Sequence, residues 1–152
     1  MSSEFTIRHA TIADLETLVG FNSAMAWETE DKGLCLETLR RGIGLMLEDA
    51  SLGFYLVAEF EGKPVAQLMV TTEWSDWRNA HFFWLQSLYV NPDHRRQGIF
   101  RRLYETVERL ARESGNVCGI RLYVERTNTR AQEAYVNLGM AHSHYDMYEV
   151  EF

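Results

Sequence analysis

The sequence predicts an α/β (α+β) fold, and three patterns support this prediction. The first is the order of elements: a strand at residues 5–9, two helices, a meander of strands, and then alternating helices and strands. The second is a hairpin, because two strand-like runs flank the turn Glu61-Gly62-Lys63-Pro64. The third is an apolar stripe at helical spacing, which consists of Ile99, Leu103, Val107 and Leu110.

The N-terminal part of the chain is predicted to hold two helices. Thr11 and Asp14 resemble a capping box that begins the first of them. The second is expected over residues 36–49, where the apolar residues have helical spacing although two glycines weaken the pattern. Residues 26–33 show no sustained period, so we expect a loop there.

The remainder alternates between strand and helix patterns. Strands are predicted at residues 54–60, 65–72, 81–90, 119–124 and 142–150, with a polar and aromatic loop at 73–80. One helix begins at residue 99 and stops near Gly115. Another covers residues 129–138, where Gly139 ends it.

Length and composition are typical of one catalytic-sized domain. A chain of 152 residues with 46% hydrophobic and 12% aromatic content can bury a single core, so we expect one domain over residues 1–152. No apolar run has membrane length, and the opening MSSEFTIRHA lacks a basic region followed by an apolar stretch. We therefore expect neither a signal peptide nor a membrane partner, and a cytoplasmic location.

The charge is negative overall but unevenly distributed. A net charge of −7 argues against a general nucleic-acid binder, which needs a basic footprint for phosphates. Six arginines nevertheless lie within residues 95–112, whereas Glu28, Glu30 and Asp31 form an acidic patch elsewhere in the sequence. This distribution suits an anionic cofactor at one end and a cationic partner at the other. The alternative is that the acidic residues serve solubility alone.

Residues 88–103, LYVNPDHRRQGIFRRL, predict a strand, a turn and the start of an amphipathic helix. Backbone N–H groups at a helix start are unpaired and converge with the positive end of the helix dipole, so a phosphate can bind there. Pro92 ends the strand, and Gly98 lets the backbone approach a ligand closely. Positive charge at this point comes from Arg95, Arg96, Arg101 and Arg102. The prediction is a site for a ligand that carries phosphates, with a solvated helix face as the alternative.

Two other phosphate-binding turns do not fit the same residues. A P-loop needs Gly-Lys-Ser/Thr, with the Lys on the terminal phosphates and the hydroxyl on magnesium, and this turn has no Lys, Ser or Thr. A Rossmann turn needs three spaced glycines near the first strand, whereas this turn offers one and lies past the middle of the chain.

The run Arg95-Arg96-Gln97-Gly98-Ile99-Phe100 resembles the acyl-CoA-binding motif of GNAT-superfamily N-acetyltransferases. Further along, the order Asn128, Ala131, Tyr135 and then Leu138-Gly139-Met140 is similar to the second hallmark of that family. The resemblance spans nearly the whole chain. It implies the GNAT fold, a single mixed and mostly antiparallel twisted sheet of about six to seven strands with about four helices on both faces. Phe100 departs from the motif, which usually closes with a small residue, and is tolerable if its side chain points into the core.

The resemblance also implies acetyl-CoA as cosubstrate, with no metal. In the resembling fold, the strand before the turn splays from its neighbour, and its free backbone groups pair with the pantetheine arm. Asn128 maps to a position that contacts the CoA chain, although a plain N-cap is an alternative for it. The residues expected to bind CoA are Leu88, Tyr89, Val90, Arg95, Arg96, Gln97, Gly98, Ile99, Phe100, Arg101, Asn128 and Tyr135.

Tyr135 is the expected catalytic residue. The acceptor amine must attack the thioester while neutral, and the leaving thiolate must then gain a proton. A phenol with a pKa of about 10 is protonated at neutral pH and can donate that proton. The alternative is a helix tyrosine that packs on the sheet.

The general base and the acceptor site stay open at this level. The predicted strand HFFWLQSLYV contains no carboxylate, although Gln86 and Ser87 can position a water. The remaining carboxylate candidates are Glu28, Glu73, Asp76 and Glu125. For the acceptor we single out Trp27, Glu28, Trp74 and Gln86. Together Trp27, Trp74, Trp77 and Trp84 can build an aromatic wall for an amine, but for each single tryptophan core packing is the favoured interpretation.

Metal and thiol chemistry are not predicted. His142, His144 and Asp146 alternate onto one face of a predicted strand and imitate metal ligands, but no further ligand cluster accompanies them. Cys35 and Cys118 lie far apart without a CxxC motif, so we interpret them as two reduced thiols.

The sequence therefore predicts an N-acetyltransferase that moves an acetyl group directly from acetyl-CoA to a primary amine of a small molecule or a protein/peptide. The alternative is a noncatalytic acyl-CoA-binding regulatory or protein-interaction module on the same fold. A homodimer is also predicted, because the strand at 142–150 is expected near a sheet edge, where an exposed ladder invites a partner.

Overall fold

The computed structural model describes residues 4–152, and the predictions that concern the first three residues lie outside the described part. The chain forms two compact units, one that ends at Leu122 and a second over Tyr123–Phe152. Of the helices described, none combines the length and the apolar content that crossing a membrane requires. The single domain and the cytoplasmic location stay predictions.

The first unit contains one mixed sheet. Its strands are β1 (Thr6–His9), β2 (Phe54–Phe60), β3 (Lys63–Ser75), β4 (Ala80–Val90) and β5 (Val117–Arg121), in that spatial order. The first four are antiparallel to their neighbours, and β5 runs parallel to β4. The predicted hairpin and the mostly antiparallel sheet are therefore confirmed.

The described residues form four α-helices, as predicted: α1 (Leu15–Glu30), α2 (Leu36–Glu48) and α3 (Ile99–Ser114) in the first unit, and α4 (Thr129–Asn137) in the second. Leu18 of α1 and Ile43 of α2 share a buried cluster with Tyr55 and Val57 of β2. The alternate residues of β2 are buried too, so both faces of this strand are covered. The amphipathic α3 buries Ile99, Leu103 and Val107 of its predicted stripe, and Leu110 is half-buried.

The predicted loop at residues 26–33 is wrong in its first part, because α1 continues to Glu30. Ala26 is the last residue of α1 that is buried, and the turn after it is exposed. A solvated helical turn shows no apolar period, so the sequence pattern could not reveal it. The helix ends where Asp31 adopts a left-handed conformation at φ 50°.

The predicted strand at 142–150 is also wrong. Residues 141–152 are exposed throughout and carry no regular secondary structure. Alternation of polar and apolar residues is necessary for a half-buried strand, but a strand also needs a neighbouring ladder, which sequence alone does not supply. The sheet consequently has five strands in the described part of the chain, below the number expected.

The predicted capping role of Asp14 is confirmed, and Arg8 adds to it. The Asp14 carboxylate accepts a hydrogen bond from the Thr11 N–H at 2.7 Å and two from the Arg8 guanidinium at 2.8 Å. Arg8 also pairs with Glu59 of β2 at 2.5 Å. Hydrogen bonds from Arg8 hold the pKa of Asp14 below its usual range.

Asp14 should make stability fall in acid. A carboxylate whose pKa is lowered by folding stabilises the native state above its unfolded pKa, and this contribution is lost as pH falls through the folded pKa. We expect Asp14→Asn to cost about 2 kcal/mol of unfolding free energy at neutral pH and less as the pH drops below about 4. Urea unfolding measured across this pH range tests it. Glu16→Gln is the control, since Glu16 pairs with Arg40 at the surface, and an equal loss from it would contradict the assignment.

Candidate functional site

The turn between β4 and α3 has an unusual backbone. A 3-10 helical turn at Pro92–His94 follows β4, and Arg96 and Gly98 then adopt positive φ angles of 62° and 77°. Turns of this kind direct successive N–H groups to one side and form a concavity for an anion. A Cβ built on Gly98 would meet nothing within 4 Å, so the dihedral angle rather than crowding favours glycine there.

Positive charge collects at the start of α3. Arg101 and Arg102 lie in its first turn, which carries no acidic residue, and like Arg96 they are exposed. Within residues 4–152 these three arginines form no ion pair. Cations at a helix N-terminus are repelled by the positive end of the helix dipole. An anion bound there is stabilised by the cations and by the dipole. The arrangement is suited to a ligand that carries phosphates.

Arg95 has a different environment from the other arginines of the turn. Its Nη2 lies 2.7 Å from Oε2 of Glu28, and its Nε donates to the Val90 carbonyl at 2.8 Å. Its guanidinium also lies 5.6 Å from the centroid of the Tyr89 ring. The ion pair of Arg95 with Glu28 therefore connects the turn to the end of α1. The acidic patch was predicted at the opposite end from the arginines, whereas this contact places one of its members, Glu28, beside Arg95.

The strand β4 separates from β5 partway along its length. Within the first unit, the parallel pairing ends at Trp84↔Arg121, whereas β4 continues to Val90. On its other edge, β4 stays paired with β3 as far as Ala66↔Val90. The predicted segment of Leu88, Tyr89 and Val90 lies beyond the last β5 pair, as a strand that accepts an extended ligand would.

Several polar candidates share one face of the sheet. Register places Glu73, Trp84 and Gln86 on the face of β3 and β4 that also carries Thr71. Glu73 accepts hydrogen bonds from Trp84 Nε1 at 3.1 Å and from Arg121 at 2.7 Å, and Gln86 donates to Thr71 Oγ1 at 2.5 Å. Both Glu73 oxygens are thus engaged. Arg121 was missed by sequence reasoning, because nothing local in β5 distinguishes it.

The tryptophans depart from the favoured interpretation. Core packing is wrong for Trp27, Trp74 and Trp77, whose exposed fractions are 62%, 56% and 88%. Trp84 is half-buried beside Glu73, and Trp74 packs edge-on against His81 at 5.0 Å between centroids. Exposed rings of this size can contact a ligand or a partner.

The second unit holds the other predicted site residues. Asn128 Oδ1 accepts from the Ala131 N–H at 3.1 Å, so the N-cap interpretation of Asn128 is confirmed. Tyr135 is half-buried in α4, and burial raises its pKa, which keeps the phenol protonated at neutral pH. Gly139, at φ 93°, ends the helix as predicted.

The remaining carboxylates, histidines and thiols are dispersed. Asp76 Oδ1 accepts from the Trp77 N–H at 2.9 Å, and Asp146 lies 3.4 Å from Arg126. Over residues 4–152, no group of three or more His, Cys, Asp or Glu side chains is arranged to hold a metal ion. Cys35 and Cys118 are exposed thiols without a disulfide.

Comparisons with known proteins find a matching family and similar folds. A family model described as "Acetyltransferase (GNAT) family" matches residues 12–140. The structure of a possible acetyltransferase from Clostridium difficile 630 is 42% identical, with a TM-score of 0.91, and the match covers 97% of each chain. A comparison with curated proteins finds no match.

Two more distant solved structures share the fold. A ribosomal-protein-alanine N-acetyltransferase from Brucella melitensis biovar Abortus 2308 is 17% identical, with a TM-score of 0.79 and coverage of 98% of this chain and 99% of that one. An aminoglycoside N-acetyltransferase in complex with CoA is 15% identical, with a TM-score of 0.80 and coverage of 99% and 97%. At these identities the likeness concerns the fold alone.

Proposed function

Because the chain belongs to the acetyltransferase (GNAT) family, whose members use acetyl-CoA, we propose that it transfers the acetyl group directly to a primary amine of a small molecule or a protein/peptide. The observation that carries the proposal is the turn before α3, where Arg96 and Gly98 are left-handed and where Arg96, Arg101 and Arg102 have no acidic partner among residues 4–152. The family match spans both compact units, which supports one catalytic domain over residues 1–152.

The residues present fit CoA. The open space beside Gly98 and the first N–H groups of α3 suit the pyrophosphate, and Arg96 and Arg101 supply charge without breaking an existing ion pair. We assign the backbone of Leu88, Tyr89 and Val90 to the pantetheine arm. The other proposed contacts are Arg95, Gln97, Ile99, Phe100, Asn128 and Tyr135.

Acetyl-CoA supplies an activated acyl group as a thioester. The amine nitrogen bonds to the carbonyl carbon, the carbon–sulfur bond breaks, and the electron pair leaves on sulfur. Tyr135, whose raised pKa keeps it protonated at neutral pH, then donates its phenolic proton to the thiolate and regains a proton from water, so that the proton lost by the amine restores the phenol. The amine loses a proton to water that Gln86 positions, because Glu28 and Glu73 are held by Arg95 and Arg121.

The acceptor is proposed to approach the exposed aromatic residues. Trp27, Trp74, Glu28 and Gln86 are the candidate contacts. Aromatic faces attract ammonium and alkyl groups alike, so Trp27 and Trp74 suit an amine with an apolar body. Glu28 is proposed to contact the amine while its carboxylate stays paired with Arg95.

Turnover of acetyl-CoA against a panel of amines tests the function. The panel contains alkylamines, an aminoglycoside and a peptide that begins with alanine, and released thiol is the readout. We expect amine-dependent thiol release, an acetylated amine by mass spectrometry, and no acetyl adduct on the protein incubated with acetyl-CoA alone. CoA binding without turnover of any amine would favour the noncatalytic module, and a stable protein adduct would contradict direct transfer.

A homodimer stays part of the proposal, although the strand first expected to form it is absent. The segment 141–152 instead exposes a series of apolar side chains, namely Tyr145, Met147, Tyr148, Val150 and Phe152. Exposed apolar groups this close together are typical of an interface. We expect light scattering at micromolar concentration to give twice the 17.7 kDa chain mass. A monomer mass would contradict the dimer, and Tyr148→Glu should shift the mass toward it.

A further inference from the structure

A fully buried amide lies in the middle of the sheet. Gln67 of β3, the central strand, has no exposed surface, and it is the only polar residue among the largest fully buried side chains described. Burying an amide costs free energy unless its hydrogen bonds are replaced. The buried amide of Gln67 therefore needs hydrogen-bond partners inside the protein.

Gln67 binds the backbone of β4. Its Nε2 donates to the carbonyl oxygen of Ser87 at 2.9 Å. Its Oε1 accepts from Nδ2 of Asn22 at 3.4 Å, and the same Asn22 group donates to the Leu18 carbonyl at 2.9 Å. Asn22 also lies 3.4 Å from the Tyr55 hydroxyl, and both residues are buried. The network connects α1, β2 and β3 to a single carbonyl group of β4.

That carbonyl belongs to a β-bulge. The register is Gln67↔Tyr89 on one side and Met69↔Gln86 on the other, so β4 has one more residue than β3 in this interval. Ser87 lies in the interval and has φ 51°, a left-handed conformation that is uncommon for a residue other than glycine. A conformation of this kind persists only where its surroundings hold it.

The bulge separates two parts of β4. Before it, β4 pairs with β5 up to Trp84, and after it come Leu88, Tyr89 and Val90, which lie beyond the β5 pairing. Gln86 pairs with Met69 and Tyr89 pairs with Gln67. Because of the extra residue, Gln86 and Tyr89 therefore lie on the same face of the sheet, although they are three positions apart. Without the bulge, a shift of one residue would turn every later side chain and backbone group of β4 to the other side.

We propose that Gln67, held by Asn22, is a positioning residue that fixes the bulge at Ser87 and so orients the backbone of Leu88, Tyr89 and Val90 toward the pantetheine arm. This inference rests on the proposed function, which places that arm on this edge of β4. Gln67 touches no reacting atom and acts through the Ser87 carbonyl.

The test compares binding of whole CoA with binding of its nucleotide part, which lacks the pantetheine arm. Gln67→Leu fills a similar volume but removes the bond to Ser87, and we expect it to weaken CoA binding about tenfold by calorimetry. Its affinity for adenosine 3′-phosphate 5′-diphosphate, the nucleotide part of CoA, should stay within about twofold, because the turn before α3 is unaltered. Val70→Ala is the control, since Val70 is equally buried on β3 but pairs with Leu85, outside the bulge, and lies on the opposite face of the sheet from Gln67, so it should lower CoA affinity little.

A rescue and a ligand-free measurement complete the test. Adding Ser87→Gly to Gln67→Leu should restore part of the CoA affinity, because glycine adopts positive φ without support. Amide hydrogen exchange of residues 86–90 should accelerate in Gln67→Leu and not in Val70→Ala. If Gln67→Leu does not fold, Gln67→Met is measured in its place.

The outcomes distinguish the two levels of inference. Unchanged CoA affinity in a folded Gln67 variant, or equal loss of CoA and nucleotide binding, would overturn the positioning role while leaving the proposed function intact. Failure of the wild-type protein to bind CoA would overturn the proposed function and this inference with it.

Discussion

Replacing Gly98 with aspartate is expected to weaken CoA binding by at least about 100-fold, close to complete loss in a calorimetric titration. Gly98 has φ 77° and precedes the first residue of α3, where the pyrophosphate is proposed to lie. An aspartate there strains the backbone and places a negative charge beside the phosphates. The fold should survive, because a Cβ at this position meets no neighbouring atom within 4 Å.

Gly115→Asp is a matched control for Gly98→Asp. Gly115 caps the other end of α3 at φ 74° and is likewise open, so the substitution adds the same strain and charge to the same helix away from the turn. We expect Gly115→Asp to leave CoA affinity within about threefold of the wild type. If Gly98→Asp is folded by circular dichroism and binds CoA as the wild type does, the turn is not the phosphate site.

Replacing Tyr135 with phenylalanine is expected to lower kcat by about 10² to 10⁴-fold at saturating substrates. The variant keeps the ring and its packing but removes the proton that the departing thiolate needs. CoA affinity should change little, because the loss occurs only in the transition state. The measurement is steady-state thiol release with an amine identified in the panel, together with calorimetric CoA titration.

The pH profile gives the Tyr135 prediction a second readout. Burial raises the pKa of Tyr135 above its ordinary value of about 10, so the wild-type acid stays protonated and kcat should not decline between about pH 7 and 9. In Tyr135→Phe, water must protonate the thiolate in place of the phenol. The kcat of this variant should therefore fall more steeply than that of the wild type as the pH rises. Tyr145→Phe removes the hydroxyl of an exposed tyrosine in the same unit and should be neutral. A Tyr135→Phe rate within a few-fold of wild type would reject Tyr135 as the acid.

Local patterns predicted α3 and its turn well, for a physical reason. The stripe Ile99, Leu103 and Val107 repeats within one helix, and the Gly98 signal comes from dihedral requirements at one residue. Both depend on neighbours in sequence. The same holds for the hairpin around Gly62 and for the Asn128 cap.

Contacts between distant residues were not predictable from the sequence. Arg95 and Glu28 are 67 positions apart, and their ion pair depends on how far α1 continues. The bond from Gln67 to the bulge at Ser87 likewise depends on strand register, which no local composition determines. The final segment is the opposite case. Residues 142–150 have the local pattern of a strand, but they form no strand because they pair with no neighbouring strand.

The two arginines in the first turn of α3 have a consequence for how the helix start responds to salt. Arg101 and Arg102 repel each other and the positive end of the dipole, and no acidic residue in that turn offsets them. Ions at about 0.1 M screen charges over about 10 Å, so this repulsion should be strongest in dilute buffer. The first turn of α3 should then fray more often at low ionic strength than at high, the reverse of the behaviour of a surface held by ion pairs.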